Sequence, residues 1–171
     1  MEKLLIIVSG MAAAGKTRFA EWLSNEINVS LLSLDEIWEN SGSNDIPFER
    51  YWTLCEDIMK LSSPLIIEFG FESRSKPTIE DLVKKYSYQT VNVHFDTSFK
   101  IAHRRFNDRR LYDMGGSKPQ ISLEQYINIA NQAKEFSLGN NIIHVDTTNF
   151  PAVSYIDILK QIRTTLIMLC V

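Results

Sequence analysis

Apolar residues recur along the chain in short runs of strand length, at Leu4 to Val8, Val29 to Leu34, Leu65 to Phe69, Thr90 to Phe95 and Ile142 to Val145. Between them the apolar positions return every three or four residues, the period of a helix with one buried face. That period predicts helices over Gly15 to Ile27, Phe48 to Leu61, Thr78 to Tyr86, Ser98 to Arg110, Leu123 to Phe136 and Val153 to Leu169. Start signals agree in three places. Pro47 precedes the second helix, Pro77-Thr78 opens the third, and Ser122-Leu123-Glu124-Gln125 has the form of a capping box at the fifth. Asn40 to Asp45 and Tyr112 to Gln120 lack either period and read as loops. Near-continuous apolar strands alternating with helices predict a parallel sheet covered on both faces, an α/β architecture.

At 171 residues the chain suits one compact domain whose core needs neither metal nor disulfide. Eighteen Lys and Arg against 21 Asp and Glu give a formal net charge of −3, so no global basic field favours nucleic acid or an anionic membrane. Cys55 and Cys170 form no C-x-x-C pair and sit in apolar helical patterns, as buried thiols of a reducing compartment would. His94, His103 and His144 lack metal-ligand spacing. The apolar run at the amino terminus is short and leads into a functional motif, so a cytoplasmic location is expected and no membrane partner. The run Leu166 to Val171 is far below the ~20 residues that span a bilayer, and reads as the end of a core-packing helix or as an oligomer contact.

The motif is Gly10-Met11-Ala12-Ala13-Ala14-Gly15-Lys16-Thr17, placed between the first strand and the first helix. It satisfies G-x-x-x-x-G-K-[ST], the loop that cradles nucleotide phosphates. Its glycines allow a tight turn and bring backbone N–H groups against phosphate oxygens. Lys16 supplies a mobile positive charge, Thr17 a hydroxyl for Mg²⁺, and the helix from Thr17 and Arg18 onward points its positive end at the same anion. Nucleoside triphosphate binding is therefore the leading expectation.

In open α/β sheets ligands lie beyond the carboxyl ends of the strands, so the polar residues there are the candidates. Asp35 follows the second strand. It is either a base or orienter for a hydroxyl nucleophile or the N-cap of the turn Glu36 to Glu39. Glu68 ends the third strand and would serve Mg²⁺ or contact an acceptor. Arg74, on the loop beyond, would bind an anionic group or be solvated. Trp38, Phe48, Tyr51 and Trp52 would line a ring-bearing acceptor or pack in the core. Arg105 and Arg109 lie four apart on one helix face, an arrangement that costs a few tenths of a kcal/mol unless an anion lies nearby. The alternative is a solvated face. After the fifth strand, Thr147 to Asn149 would border the nucleotide base or form an Asx turn.

Taken in order, Gly10 to Thr17, Leu34-Asp35-Glu36-Ile37, Ile67-Glu68 with Arg74, Arg105-x-x-x-Arg109 and Val145-Asp146-Thr147-Thr148 resemble the small-molecule kinase branch of P-loop proteins. This is the predicted AAA-type kinase group, related to chloramphenicol phosphotransferase, zeta toxin and polynucleotide 5′-kinase. The resemblance covers nearly the whole chain. It implies a three-layer α/β/α fold with a five-stranded parallel sheet of order 2-3-1-4-5. It further implies ATP with Mg²⁺, Asp35 near an acceptor hydroxyl, and Arg105 and Arg109 on the phosphates from a lid around residues 100–122. Two positions depart from the group. Trp38 stands where many members have Arg, and Glu68 where Asp is common.

The expected activity is transfer of the γ-phosphoryl group of Mg-ATP to a hydroxyl of a small molecule, with Lys16, Asp35, Arg105 and Arg109 as the reacting machinery. A nucleotide-binding module without catalysis and a polynucleotide 5′-end kinase are the alternatives. No Asn-Lys-x-Asp guanine motif and no Leu-Ser-Gly-Gly signature occurs, which disfavours a GTP switch and an ABC-type ATPase.

Overall fold

The computed structural model describes residues 3–34, 37, 47–68, 75–112, 119–131, 138 and 142–169. Five strands, β1 (Leu4–Gly10), β2 (Ser30–Ser33), β3 (Leu65–Glu68), β4 (Gln89–Asp96) and β5 (Ile142–Asp146), form one sheet of order β2-β3-β1-β4-β5. Every pairing in it is parallel. Among the described residues six helices flank it: α1 (Lys16–Ile27), α2 (Pro47–Lys60), α3 (Ser75–Tyr86), α4 (Phe99–Tyr112), α5 (Leu123–Ala130) and α6 (Tyr155–Leu169). A 3-10 turn, Phe150–Ala152, lies between β5 and α6.

The central strand explains the architecture. β1 pairs on both sides and is buried at all seven positions, so both of its faces need apolar cover. Leu4, Ile6 and Val8 point to one side and pack with Phe19 and Leu23 of α1 and Ile158, Leu159 and Ile162 of α6. Leu5 and Ile7 point to the other and pack with Tyr51, Cys55 and Met59 of α2 and Ile79 and Leu82 of α3. The period-2 alternation of the strand thus builds two cores. A third, smaller cluster joins α4 and α5 through Ala102, Tyr126 and Ala130, and Met11 and Ala12 pack against it. That contact sets the α4–α5 pair beside the loop after β1.

Where the elements differ from expectation, local chemistry gives the reason. α3 begins at Ser75, so Pro77 lies inside its first turn, where its missing N–H has no helical partner to lose. The capping box at Ser122 is present, with Ser122 Oγ accepting from Gln125 N and Gln125 Oε1 accepting from Ser122 N. That helix is described over Leu123–Ala130, with the N–H of Asn131 donating to the carbonyl of Ile127, and the rest of its expected span, residues 132–136, lies outside the described residues. α6 starts after Ser154, whose hydroxyl accepts from the N–H of Asp157. Its far end divides: Leu166 packs against the core, whereas Ile167 and Met168 are mostly exposed. Cys55 is buried, and burial pushes its thiol up to about 12. No helix among the described residues is long and apolar enough to cross a membrane.

Candidate active site

The loop after β1 turns on two residues that need glycine. Gly10 has φ 131 and lies in register with Phe95 of β4. A Cβ there would sit 2.0 Å from the Phe95 carbonyl oxygen, a backbone atom that has nowhere to go. Gly15 has φ 96, and a Cβ would meet the Phe150 ring at 2.7 Å. Ala13 holds φ 61, the left-handed region that costs an alanine roughly 1–2 kcal/mol. Alternation of this kind turns successive N–H groups into one concavity, an anion nest. Gly15 caps α1 without any side-chain hydrogen bond, and the first turn of α1 holds no acidic residue. The positive end of the helix is therefore left to a ligand.

Lys16 is buried, and its Nζ donates to the Met11 carbonyl at 3.1 Å, reaching back over the loop. Its ammonium also lies 3.9 Å from Glu68 Oε1 at the end of β3. Glu68 is 2% exposed, so its charge must be met inside the protein. Ser33, at the end of β2, meets it by donating its hydroxyl to Oε2 at 3.0 Å. The register β1–β3–β2 brings these groups together, because Val8 and Ser33 both lie opposite Glu68. Thr17 is half-buried one position further on α1. Tyr51, expected in an acceptor pocket or in the core, is fully buried core, its hydroxyl donating to the Leu32 carbonyl at 3.3 Å. Burial, then the neighbouring Cys55 and Glu68, raise its phenol well above the ordinary range. Phe48 and Trp52 are half-buried against the same cluster.

On the other side of the loop, β5 ends in Asp146, whose carboxylate accepts from the N–H of Thr148, giving the expected Asx turn. Thr147 is fully buried. Its hydroxyl lies 2.9 Å from the Ala14 carbonyl and 3.1 Å from that of Asp96, so its side chain braces the loop and the end of β4. Arg105 donates from Nη2 to the Thr147 carbonyl at 2.9 Å, and its guanidinium stands 5.5 Å over the Phe150 ring. Arg18 approaches the same ring at 5.8 Å. Phe150 is therefore sandwiched by chemistry that neither its sequence neighbours nor its position in a turn announced. Arg109 lies one turn beyond Arg105 and is exposed.

Further contacts around the loop carry no local sequence signal. Tyr126 of α5 donates its hydroxyl to the Ala12 carbonyl at 2.6 Å, and burial, followed by the charge of Asp96, pushes its phenol up to about 12. Ser9, just before Gly10, hydrogen-bonds with His94 Nδ1 at 2.9 Å. Asn107 and His103 both bond to the Ile121 carbonyl, and Asn107 Oδ1 accepts from Ile121 N, so the return of the chain from α4 to α5 is fixed at its far end. Asp35, Trp38 and Arg74, expected around an acceptor, lie outside the described residues. The described part of the site thus joins Gly10, Met11, Ala12, Ala13, Ala14, Gly15, Lys16, Thr17, Glu68, Arg105 and Thr147 at the carboxyl edge of β3, β1, β4 and β5.

No protein-family model matches the chain, and no curated protein sequence matches it. Solved structures do. One from Chloroflexus aurantiacus, assigned provisionally as a kinase, superposes with a TM-score of 0.81 at 21% identity and covers 97% of each chain. The APS kinase of Mycobacterium tuberculosis, solved in complex with AMPPNP and APS, gives a TM-score of 0.61 at 13% identity over 96% of this chain and 97% of that one. A gluconokinase from Sinorhizobium meliloti gives 0.60 at 12% identity over 93% and 89%. These likenesses run nearly the full length of the chain, and with the sheet order and the loop they show that it has the fold of the P-loop small-molecule kinases.

Proposed function

We propose that this chain is a phosphotransferase that moves the γ-phosphoryl group of Mg-ATP to a hydroxyl of a small molecule. The observation that carries the reading is Lys16, at the start of α1, 3.9 Å from Glu68, at the end of β3, beside a glycine loop whose helix terminus bears no acidic residue in its first turn. An ammonium and a carboxylate side by side there suit a triphosphate and its cation, since each charge faces the partner of opposite sign. Several of the similar solved structures are kinases by name, one of them provisionally, and the APS kinase was solved with AMPPNP.

The loop N–H groups of residues 11–16 and the start of α1 at Thr17 and Arg18 would bind the phosphate chain. Lys16, Arg105 and Arg109 would neutralise the charge that spreads over the phosphoryl oxygens as transfer proceeds. Thr17 and Glu68 are oxygen donors of the type that Mg²⁺ takes, and the ion, when bound, supplies further neutralisation of phosphate oxygens. Asp35 and Trp38, which follow β2 in the chain, would form the acceptor pocket with Glu68 at the end of β3 and Arg74 beyond it. The acceptor hydroxyl oxygen bonds to the γ-phosphorus, its proton passes to Asp35, and the bond from that phosphorus to the β,γ-bridging oxygen breaks to release ADP. The region around residues 100–122, which includes most of α4 and leads to α5, would act as the lid of a single domain.

ADP release from Mg-ATP, followed across nucleosides, sugars, aminoglycosides and oligonucleotide 5′ ends with Asp35→Ala as control, tests this. Acceleration by one small-molecule class, lost in the variant, is the expected result. Acceleration by oligonucleotide ends alone would replace the small-molecule acceptor with a polynucleotide one. ATP binding with no acceleration by any acceptor, and no effect of Asp35→Ala, would identify a binding module.

A further inference from the structure

In a trans peptide the C=O of one residue and the N–H of the next point in opposite directions. A donor that grips a carbonyl therefore aims the N–H across the same plane. Three carbonyls of the phosphate loop are gripped in this way. Lys16 Nζ holds that of Met11 at 3.1 Å, the Tyr126 hydroxyl that of Ala12 at 2.6 Å, and the Thr147 hydroxyl lies 2.9 Å from that of Ala14. The N–H groups aimed by these contacts belong to Ala12, Ala13 and Gly15.

Lys16 belongs to the loop's own motif, but the other two donors come from far along the chain. Tyr126 is 114 residues from Ala12, and Thr147 is 133 from Ala14. Tyr126 is fully buried among Ala102, Ala130 and Phe106, against which Met11 and Ala12 also pack. Thr147 is fully buried and its carbonyl accepts from Arg105 of α4. Each helix of the α4–α5 pair thus reaches the loop through one buried hydroxyl. The peptide that Tyr126 grips also precedes Ala13, the loop's one alanine in the left-handed region. Such a conformation persists only where its surroundings over-determine it.

We propose that Tyr126 is a positioning residue for phosphate binding: its hydroxyl locks the Ala12–Ala13 peptide so that the Ala13 N–H faces the phosphate chain. With Thr147 it ties the α4–α5 pair to the loop, so that the position of the pair sets the direction of the phosphate donors. The inference rests on the nucleotide reading above and adds to it the residue that holds the nest in shape.

Tyr126→Phe removes one oxygen and keeps the ring. Calorimetric titration with ADP, ATP and AMP is the test, read with the amide spectrum of protein labelled with ¹⁵N-alanine. ADP and ATP affinity should fall about tenfold, the scale of one lost hydrogen bond to a buried acceptor, while AMP affinity holds. The Ala13 amide should shift in the ligand-free variant and that of Ala20, deep in α1, should not. Thr147→Val makes the parallel test on Gly15 and serves if Tyr126→Phe does not fold. Unchanged ADP affinity, an equal loss for ADP and AMP, or an Ala13 amide that stays in place would overturn the proposal. Wild-type protein that binds no nucleotide at all would remove the nucleotide reading as well, an outcome distinct from normal wild-type binding with an indifferent variant.

Discussion

The two flanks of β1 are stabilised by different means. Toward β4 and β5, the phosphate loop is held by hydrogen bonds to its own carbonyls, from Tyr126 at Ala12 and Thr147 at Ala14, with Arg105 behind Thr147. Toward β3 and β2, the Glu68 carboxylate accepts from Ser33 and lies 3.9 Å from Lys16, while this flank is filled by an apolar cluster that includes Tyr51, Cys55 and Met59. Directional bonds fix an orientation to within tenths of an ångström, whereas apolar packing fixes a volume. The first flank suits a ligand part that never changes, a phosphate chain. The second suits a pocket whose occupant can differ between relatives that share one fold.

The largest effect that this contrast predicts is at Gly10. Gly10→Ala places a Cβ 2.0 Å from the backbone of β4 and should cost about 4 kcal/mol or more, in the range reserved for steric conflict in a core. Chemical denaturation measures it, and a cost below that of an ordinary surface change would refute the close approach. Phe19→Ala, emptying the junction of Trp22, Phe95 and Tyr155, should cost about 3–5 kcal/mol in the same measurement.

Next comes Lys16→Met, which should slow phosphoryl transfer on the order of 10²–10³-fold in a coupled ADP assay. Glu68→Gln keeps an acceptor for Ser33 and removes the charge beside Lys16, so it should weaken activation by Mg²⁺ about 10–100-fold with the circular dichroism spectrum intact. A Mg²⁺ titration that overlays the wild type would take the carboxylate out of the cation site and leave it to the acceptor. The smallest effect is at Cys55. With its thiol pushed up to about 12 by burial, against about 8.5 for a free cysteine, it should stay unmodified by Ellman's reagent at pH 8 in a Cys170→Ser background. It should react fully once unfolded. The raised value also means that stability drawn from the neutral thiol is fully present below the unfolded value and is lost as pH rises toward the folded one, because the unfolded chain ionises first. Rapid labelling of the native protein would contradict the apolar wall.

Much of this was legible in the residues because the signals are local. The loop Gly10 to Thr17 is contiguous, and the strands declare themselves by apolar runs that lie within two residues of the observed ends, except at Phe69, which lies outside the described residues. The exceptions mark where a signal is weak or misleading. Pro77 suggested a later start for α3 than Ser75, since proline is tolerated anywhere in a first turn. The Arg105 and Arg109 pair has a like-charge spacing that calls for a nearby partner, and Arg105 donates to the Thr147 carbonyl and stands over the Phe150 ring. Like-charge spacing says that a partner is needed and nothing about its identity. The sequence offers the backbone of Thr147 to Asn149 to a nucleotide base, and gives no sign that the Thr147 hydroxyl reaches the Ala14 carbonyl. Tyr126, Ser33 and Phe150 were not singled out at all. Their partners lie 114 and 35 residues away for the first two, and for Phe150 across a turn against Gly15. Periodicity carries no information about such pairings.

The most direct test of the central claim is a calorimetric titration of Mg-ATP into the wild-type protein and into Lys16→Met. The account predicts saturable one-site binding to the wild type, weakened in the variant, with AMP binding the two proteins alike because it lacks the phosphates that Lys16 reaches. Wild-type protein that takes up no Mg-ATP at millimolar concentration, or that binds ATP and AMP with the same affinity and no dependence on Lys16, would contradict it.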